Sequence, residues 1–134
     1  MSHKTRPKRV QRKRIKGYRM PDNTVSVCRP GKWGNPFSVE DEEKESQRQW
    51  QKVGLGGKDL IRNTAQTIVV SRFRAMMLNL NAEPVSPETY ARFRYMRDRI
   101  RDLEGKNLAC FCANGTHCHA DVLLELANPV DRTQ

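Results

Sequence analysis

The apolar positions of the chain change period several times, and each change marks an element. Thr24-Val25-Ser26-Val27-Cys28 is β-branched and alternating, follows the turn-forming Pro21-Asp22-Asn23, and reads as a short strand with a hairpin partner before the turn. Arg29 to Phe37 contains two glycines and two prolines and reads as a loop. Ser38 before Val39-Glu40-Asp41 supplies a hydroxyl cap and an acidic first turn, opening a polar helix that ends near Val53-Gly54, with Gly54-Leu55-Gly56-Gly57 as a linker. From Asp59 to Leu80, residues such as Ala65, Ile68, Val69, Phe73, Met76, Met77 and Leu80 recur at helical spacing and predict the longest helix. Ile68-Val69-Val70 leaves a strand there as the alternative.

Ser86-Pro87-Glu88 opens another helix, with serine as cap and proline in the first turn; Phe93, Met96, Ile100 and Leu103 form its apolar stripe and Gly105 its stop. Lys106 to Cys112 is a short apolar strand, and Ala120 to Ala127 a short helix ended by Asn128-Pro129. This order predicts an α/β fold: a small Rossmann-like layered domain with a short, partly parallel sheet and about four helices.

Charge divides the chain further. The 134 residues carry a net charge of +10, and nine cations with no acid lie between Met1 and Pro21. They account for all but one of that net charge. Residues 1–14 hold too little apolar content to offset such repulsion, so the expected organisation is a disordered basic arm over 1–14, one α/β domain over 15–128 and a tail over 129–134. Lys8, Arg9, Arg12, Lys13 and Arg14 would bind nucleic-acid phosphates without reading sequence, or serve as a solubilising tail. No apolar run is long enough to span a membrane, and the N-terminus lacks the apolar centre of a signal peptide. A cytoplasmic, reducing setting is expected, where close-set cysteines are metal-binding or reactive rather than disulfide-bonded.

Candidate chemistry concentrates between Cys110 and His119, which hold three of the four cysteines and two of the three histidines. Strand alternation would put Cys110 and Cys112 on one side and Phe111 on the other, while Cys118 and His119 sit at the mouth of the last helix. Three readings stay open. Cys110, Cys112, Cys118 and one of His117 or His119 match a Cys₃His zinc set. Alternatively, Cys118 is a thiolate lowered by the helix N-terminus and by a histidine, with Asp121 orienting the imidazole. The plain reading makes the cysteines small apolar residues of a buried strand and His119 and Asp121 residues of a helix start.

A second candidate is the loop from Arg29. Arg29 and Lys32 could meet phosphate, Trp33 could stack on a ring, Gly31 and Gly34 would allow close backbone approach, and Asn35 could read a polar edge or close an Asx-turn. Trp33 and Phe37 serve equally as buried anchors of a rigid loop.

Gly17-Tyr18-Arg19-Met20-Pro21, Val27 to Phe37, Gly105 to Cys112 and Cys118-His119-Ala120-Asp121-Val122-Leu123 together resemble the uncharacterised DUF4326 family of bacteria and their phages. The resemblance runs from Gly17 to Ala127 and implies one domain whose two end motifs follow strands and meet at one sheet edge. It places the protein in a bacterial or phage-infected cell. The family usually has glycine in place of Cys28, which argues against Cys28 as a ligand, and tryptophan in place of Phe111. The cluster is also similar to DUF488, where an acid tends to replace Cys112, so that Cys110, Cys118 and His119 would matter most. Two functions follow as expectations: a nucleotide- or nucleic-acid-related α/β protein, acting as an enzyme or binder on a nucleotide or nucleobase through a Cys/His pocket, or a non-enzymatic, zinc-stabilised module for nucleic acid or a protein partner.

Overall fold

Asn107-Leu108-Ala109-Cys110 is the strand around which the molecule is built, and its last three residues are buried on both faces. That pattern belongs to an interior parallel strand rather than to a half-solvated one. The computed structural model describes residues 7–29, 31–51, 58–112 and 118–129. Strands β1 (Arg9–Gln11), β2 (Thr24–Ser26) and β3 (Asn107–Cys110) form a sheet of order β1-β3-β2, with both outer strands parallel to β3. The ladder runs one residue beyond each outer strand: the amide of Arg12 donates to Cys110 O at 2.6 Å and that of Val27 to Ala109 O at 2.9 Å.

Between β2 and β3 the chain crosses over through α1 (Val39–Gln51), α2 (Lys58–Leu78), α3 (Pro87–Asp98) and a 3₁₀ turn, Ile100–Leu103; α4 (His119–Ala127) follows β3. Ser86 caps α3 as its sequence requires, its Oγ accepting from Thr89 N at 3.2 Å. The Ile68-Val69-Val70 run is helical because Val69, Phe73 and Met76 on its stripe are all buried. Phe93 of α3 sits between Phe73 of α2 and Phe37 of the loop, ring centroids 5.6 and 5.5 Å away. This aromatic row joins the helices to the segment after β2.

Two expectations change. Residues 9–11 are not part of a disordered arm: Val10 pairs with Ala109 in register, and the surrounding positive charges find partners. Arg9 pairs with Asp121 at 3.0 Å, Arg12 donates to Ser26 Oγ at 3.1 Å, and the guanidiniums of Arg12 and Arg14 lie 4.8 and 4.4 Å from the Phe111 ring centroid. Nor does β2 have a hairpin partner. Ile15 to Tyr18 close a turn in which Gly17 takes φ +81°, and the neighbour of β2 is β3, 83 residues on in register from Thr24–Ser26. Residues 1–6, the Gly54-to-Gly57 linker, His117 and the tail beyond 129 lie outside the described residues.

Phe93→Ala is expected to cost about 3–5 kcal/mol in urea unfolding, since it empties the centre of the aromatic row. Removing residues 1–14, which a disordered arm would tolerate, is expected to cost on the order of 2–4 kcal/mol in lost ladder bonds and the Arg9 ion pair.

Candidate functional site at the cysteine cluster

Strand alternation carries Cys110 and Cys112 to one side, and the chain returns so that Cys118 caps α4 beside them. The three Sγ atoms lie within 4.8 Å of one another, Cys110 and Cys118 only 3.3 Å apart, and all are free thiols. Cys118 takes the extended conformation of an N-cap, with its sulfur accepting from Ala120 N at 3.5 Å where a hydroxyl is usual. Cys110 and Cys118 are buried and Cys112 half-buried.

Crowded thiols share protons. Cys112 is pulled far below the ordinary thiol range, first by accepting from Cys110, then from Cys118, with Arg9 adding its charge against the cost of burial. Cys110, the donor to Cys112, is pushed up to about 11. Cys118 is pushed up as well, by its bonds with Cys110 and Cys112 and by burial. Cys112, the thiol pulled down, is also the one toward which the Gln66 amide Nε2 points, from 3.9 Å.

His119 is fixed by its surroundings. Its Nε2 lies 2.8 Å from Val27 O and 3.1 Å from Trp33 O, and two carbonyls can only accept, so the ring proton is on Nε2. Nδ1 keeps its lone pair, 3.8 Å from Cys118 Sγ. Burial lowers the pKa of the ring, which is neutral at pH 7 and packs edge-on against Phe73 at 5.3 Å. Asp121 does not orient this imidazole: it is half-exposed and turned to Arg9, and the two carbonyls do the orienting instead.

A pocket of about 360 Å³ opens beside the cluster at the carboxyl edge of the sheet. Cys110, Cys112, Cys118 and His119 form one wall. Arg29, Asn35 and Phe37 of the loop form a second, and Glu40, Arg62, Gln66 and Val69 of α1 and α2 a third, with Arg14 and the exposed Phe111 also bordering it. The loop is compact: a Cβ on Gly34 would stand 3.0 Å from Arg29 Cα, and one on Gly31 3.0 Å from Cys28 O. Asn35 is buried and committed to the fold, its Oδ1 accepting from Phe37 N at 2.9 Å and its Nδ2 donating to Val69 O at 3.2 Å. Cys28 borders the pocket but stands apart from the sulfur cluster, its thiol 3.7 Å from Ala109 O and from Arg12 Nη1.

The structure brings Arg29 and Asn35 to the cysteines and takes Lys32 and Trp33 elsewhere. Trp33 packs on Tyr95 at 6.5 Å, and Lys32 lies over the same ring at 5.9 Å. Of the five basic residues singled out near the N-terminus, Arg9, Arg12 and Arg14 have side-chain partners in the fold; Lys8 joins through its backbone amide to Asn107 Oδ1, and Lys13 is exposed. Arg62, Gln66 and Glu40 were not legible as site residues. Arg62, Gln66 and Val69 share a helix face at spacings of four and three, but which face meets β3 is a tertiary fact.

The unfolded His119 imidazole takes up a proton near pH 6.5, about the ordinary value, while the folded one resists it. Its contribution to stability is thus complete above that pH and is lost as the pH falls, by up to about 1.4 kcal/mol per pH unit. Urea unfolding between pH 7 and pH 5 is expected to show that slope reduced by one proton in His119→Gln.

Comparison with known proteins gives one match. A family model described as a domain of unknown function, DUF4326, matches residues 10–129, from within β1 to just past α4. No curated protein and no solved structure matches the chain. The matched span takes in the sheet, all four helices and every wall of the cysteine pocket, and the chain belongs to the DUF4326 family.

Proposed function

We propose that the protein takes a nucleotide or nucleobase into the pocket at the carboxyl edge of the sheet and that Cys112 is the group that acts on it. The observation that carries this reading is the shared pocket: three thiols within 4.8 Å of one another, with Cys112 the one pulled down, face the same space as the Arg29 loop. Its volume lies at the lower end of the range for small-ligand sites. Arg14, Arg29 and Arg62 border it, although Arg62 also pairs with Glu43 at 2.7 Å, and they would favour a phosphate or another anion. Cys112 supplies the electron pair of a nucleophile. Cys118 and His119 hold its environment: Cys118 donates to Cys110 and caps the helix, and His119 fixes the loop wall by its N–H. Asp121 acts through Arg9, whose charge favours the thiolate. Reduced thiols fit a cytoplasmic setting in a bacterium or a phage-infected cell. Among the described residues no helix is long and apolar enough to cross a membrane.

A second reading, a zinc-stabilised and non-enzymatic module for nucleic acid or a protein partner, draws on the same atoms. Zn–S bonds of about 2.3 Å in a tetrahedron put sulfurs roughly 3.8 Å apart. The separations here bracket that value. His119 also donates its far N–H to carbonyls and keeps Nδ1 free, as a metal-ligating histidine does. Such an ion would be held by Cys110, Cys112 and Cys118 with His119 as the nearby fourth donor, and would brace β3 to α4.

Metal analysis and thiol alkylation separate the two. The proposed function expects metal-free, folded protein in which iodoacetamide modifies Cys112 first, at a rate nearly independent of pH between 6 and 8, where an ordinary thiol slows about tenfold per unit. A nucleoside monophosphate should slow that reaction at least severalfold, and Arg29→Ala should remove the protection. Stoichiometric zinc, lost with unfolding in Cys112→Ser and Cys118→Ser, would instead assign the cluster to a structural metal.

A further inference from the structure

Lys32 and Trp33 were singled out by sequence, yet they face α3 rather than the cysteine pocket. Between the loop and this helix runs a groove of about 390 Å³ lined by Gly31, Lys32, Ala91, Arg92 and Tyr95. Arg92, Tyr95 and Arg99 recur at spacings of three and four, so they form one stripe along the helix and its C-cap. The half-buried Tyr95 is the centre of the stripe. Arg99 Cζ lies 4.6 Å from its ring centroid, Lys32 Nζ 5.9 Å, and the Trp33 ring 6.5 Å. Arg92 approaches from one turn earlier, its Nη2 3.3 Å from Gly34 O.

Ion pairing sets this stripe apart from α2. On α2, Arg62, Arg72 and Arg74 are each paired with a glutamate: Glu43, Glu83 and Glu125. Among the described residues, Lys32, Arg92 and Arg99 have no carboxylate within 4 Å, nor do Arg94 and Arg97, exposed on the same helix. Cations left without acids beside half-open aromatic rings match a ligand that alternates negative charge with flat rings.

We propose that this groove on α3 is a docking surface for single-stranded nucleic acid, separate from the cysteine pocket. Lys32, Arg92 and Arg99 meet successive phosphates, and a base stacks at Tyr95 by displacing the distant, exposed Lys32 head or by lying on the Arg99 guanidinium plane. A duplex keeps its bases stacked on each other and offers no free ring face to Tyr95, which favours the single strand. An acidic peptide would meet the cations but leave the rings unused.

Fluorescence anisotropy of a labelled oligothymidylate on the full chain tests this surface directly. Lys32→Gln with Arg99→Gln is expected to weaken binding about tenfold or more and to reduce the log–log salt slope by roughly 1.4, two phosphates at about 0.7 each. Tyr95→Leu is expected to weaken binding about tenfold with the slope unchanged. Arg99→Lys, keeping the charge, should retain the salt slope, and thermal melting should show each variant folded. Lys13→Gln with Lys16→Gln, in the basic segment, should matter less than the α3 pair. Unchanged binding in the α3 pair or in Tyr95→Leu overturns the proposal, as does equal affinity for a duplex or for polyglutamate. Mononucleotide binding at the cysteine pocket is a different probe of a different cavity, so failure of one reading leaves the other standing.

Discussion

The site depends on one buried ring N–H. His119 Nε2 donates to two carbonyls, Val27 at the end of the strand beyond β2 and Trp33 in the loop that follows, and so binds the first turn of α4 to the segment after β2. Val27 is wholly buried, and its carbonyl would lose a partner without this bond. No other side chain fills the role easily, because it must donate at Nε2, stay neutral in an apolar setting against Phe73, and leave Nδ1 facing a thiol. Loop, helix mouth and sulfur cluster are held in one frame by that requirement.

The same frame decides where the charge goes. Three thiols brought within 4.8 Å cannot ionise together, since each additional thiolate would face another in a poorly solvated space. Cys118 donates to Cys110, and contact with both neighbours pulls Cys112 down. Cys112 is the natural holder because it is the least buried of the three and the one that feels Arg9. Cysteine reactivity in this cluster is thus assigned by position. The helix N-terminus favours Cys118 in isolation, but burial and the two neighbouring sulfurs outweigh that local effect.

Much of the architecture was legible because the signals were local. Ser86-Pro87 opened a helix, Val25 and Leu108 lay in strands, and the Cys110-to-His119 cluster followed β3 into α4. The Cys-x-Cys pair facing one side followed from alternation alone. What failed were inferences needing a partner distant in sequence. Val10 reads as an isolated apolar residue among cations until Ala109, 99 positions away, supplies its ladder. Asp121 looks like the orienter of His119 until Arg9 takes it, while Asn35 closes the Asx-turn its sequence allowed, Phe37 N donating to its Oδ1, and Val69 O, 34 residues on, takes the other end of its amide. In each case an unseen hydrogen-bond partner settled the role.

The charge of the chain follows the same logic. Net charge counts cations without asking what each one touches, so the basic segment before Pro21 seemed to be the polyanion-binding part of the molecule. Folding gives Arg9 a carboxylate that offsets its charge and Arg12 a hydroxyl, while Arg12 and Arg14 share the Phe111 ring as Arg99 and Lys32 share Tyr95. The Arg92 to Arg99 stretch holds four arginines against Asp98 within it and Glu88 just before it, and its arginines form no ion pair with either acid. Affinity for a polyanion is governed by cations whose desolvation is not already offset inside the fold. By that criterion Arg9 leaves the set of cations open to a polyanion, and under the docking surface proposed above the outer stripe of α3 joins it.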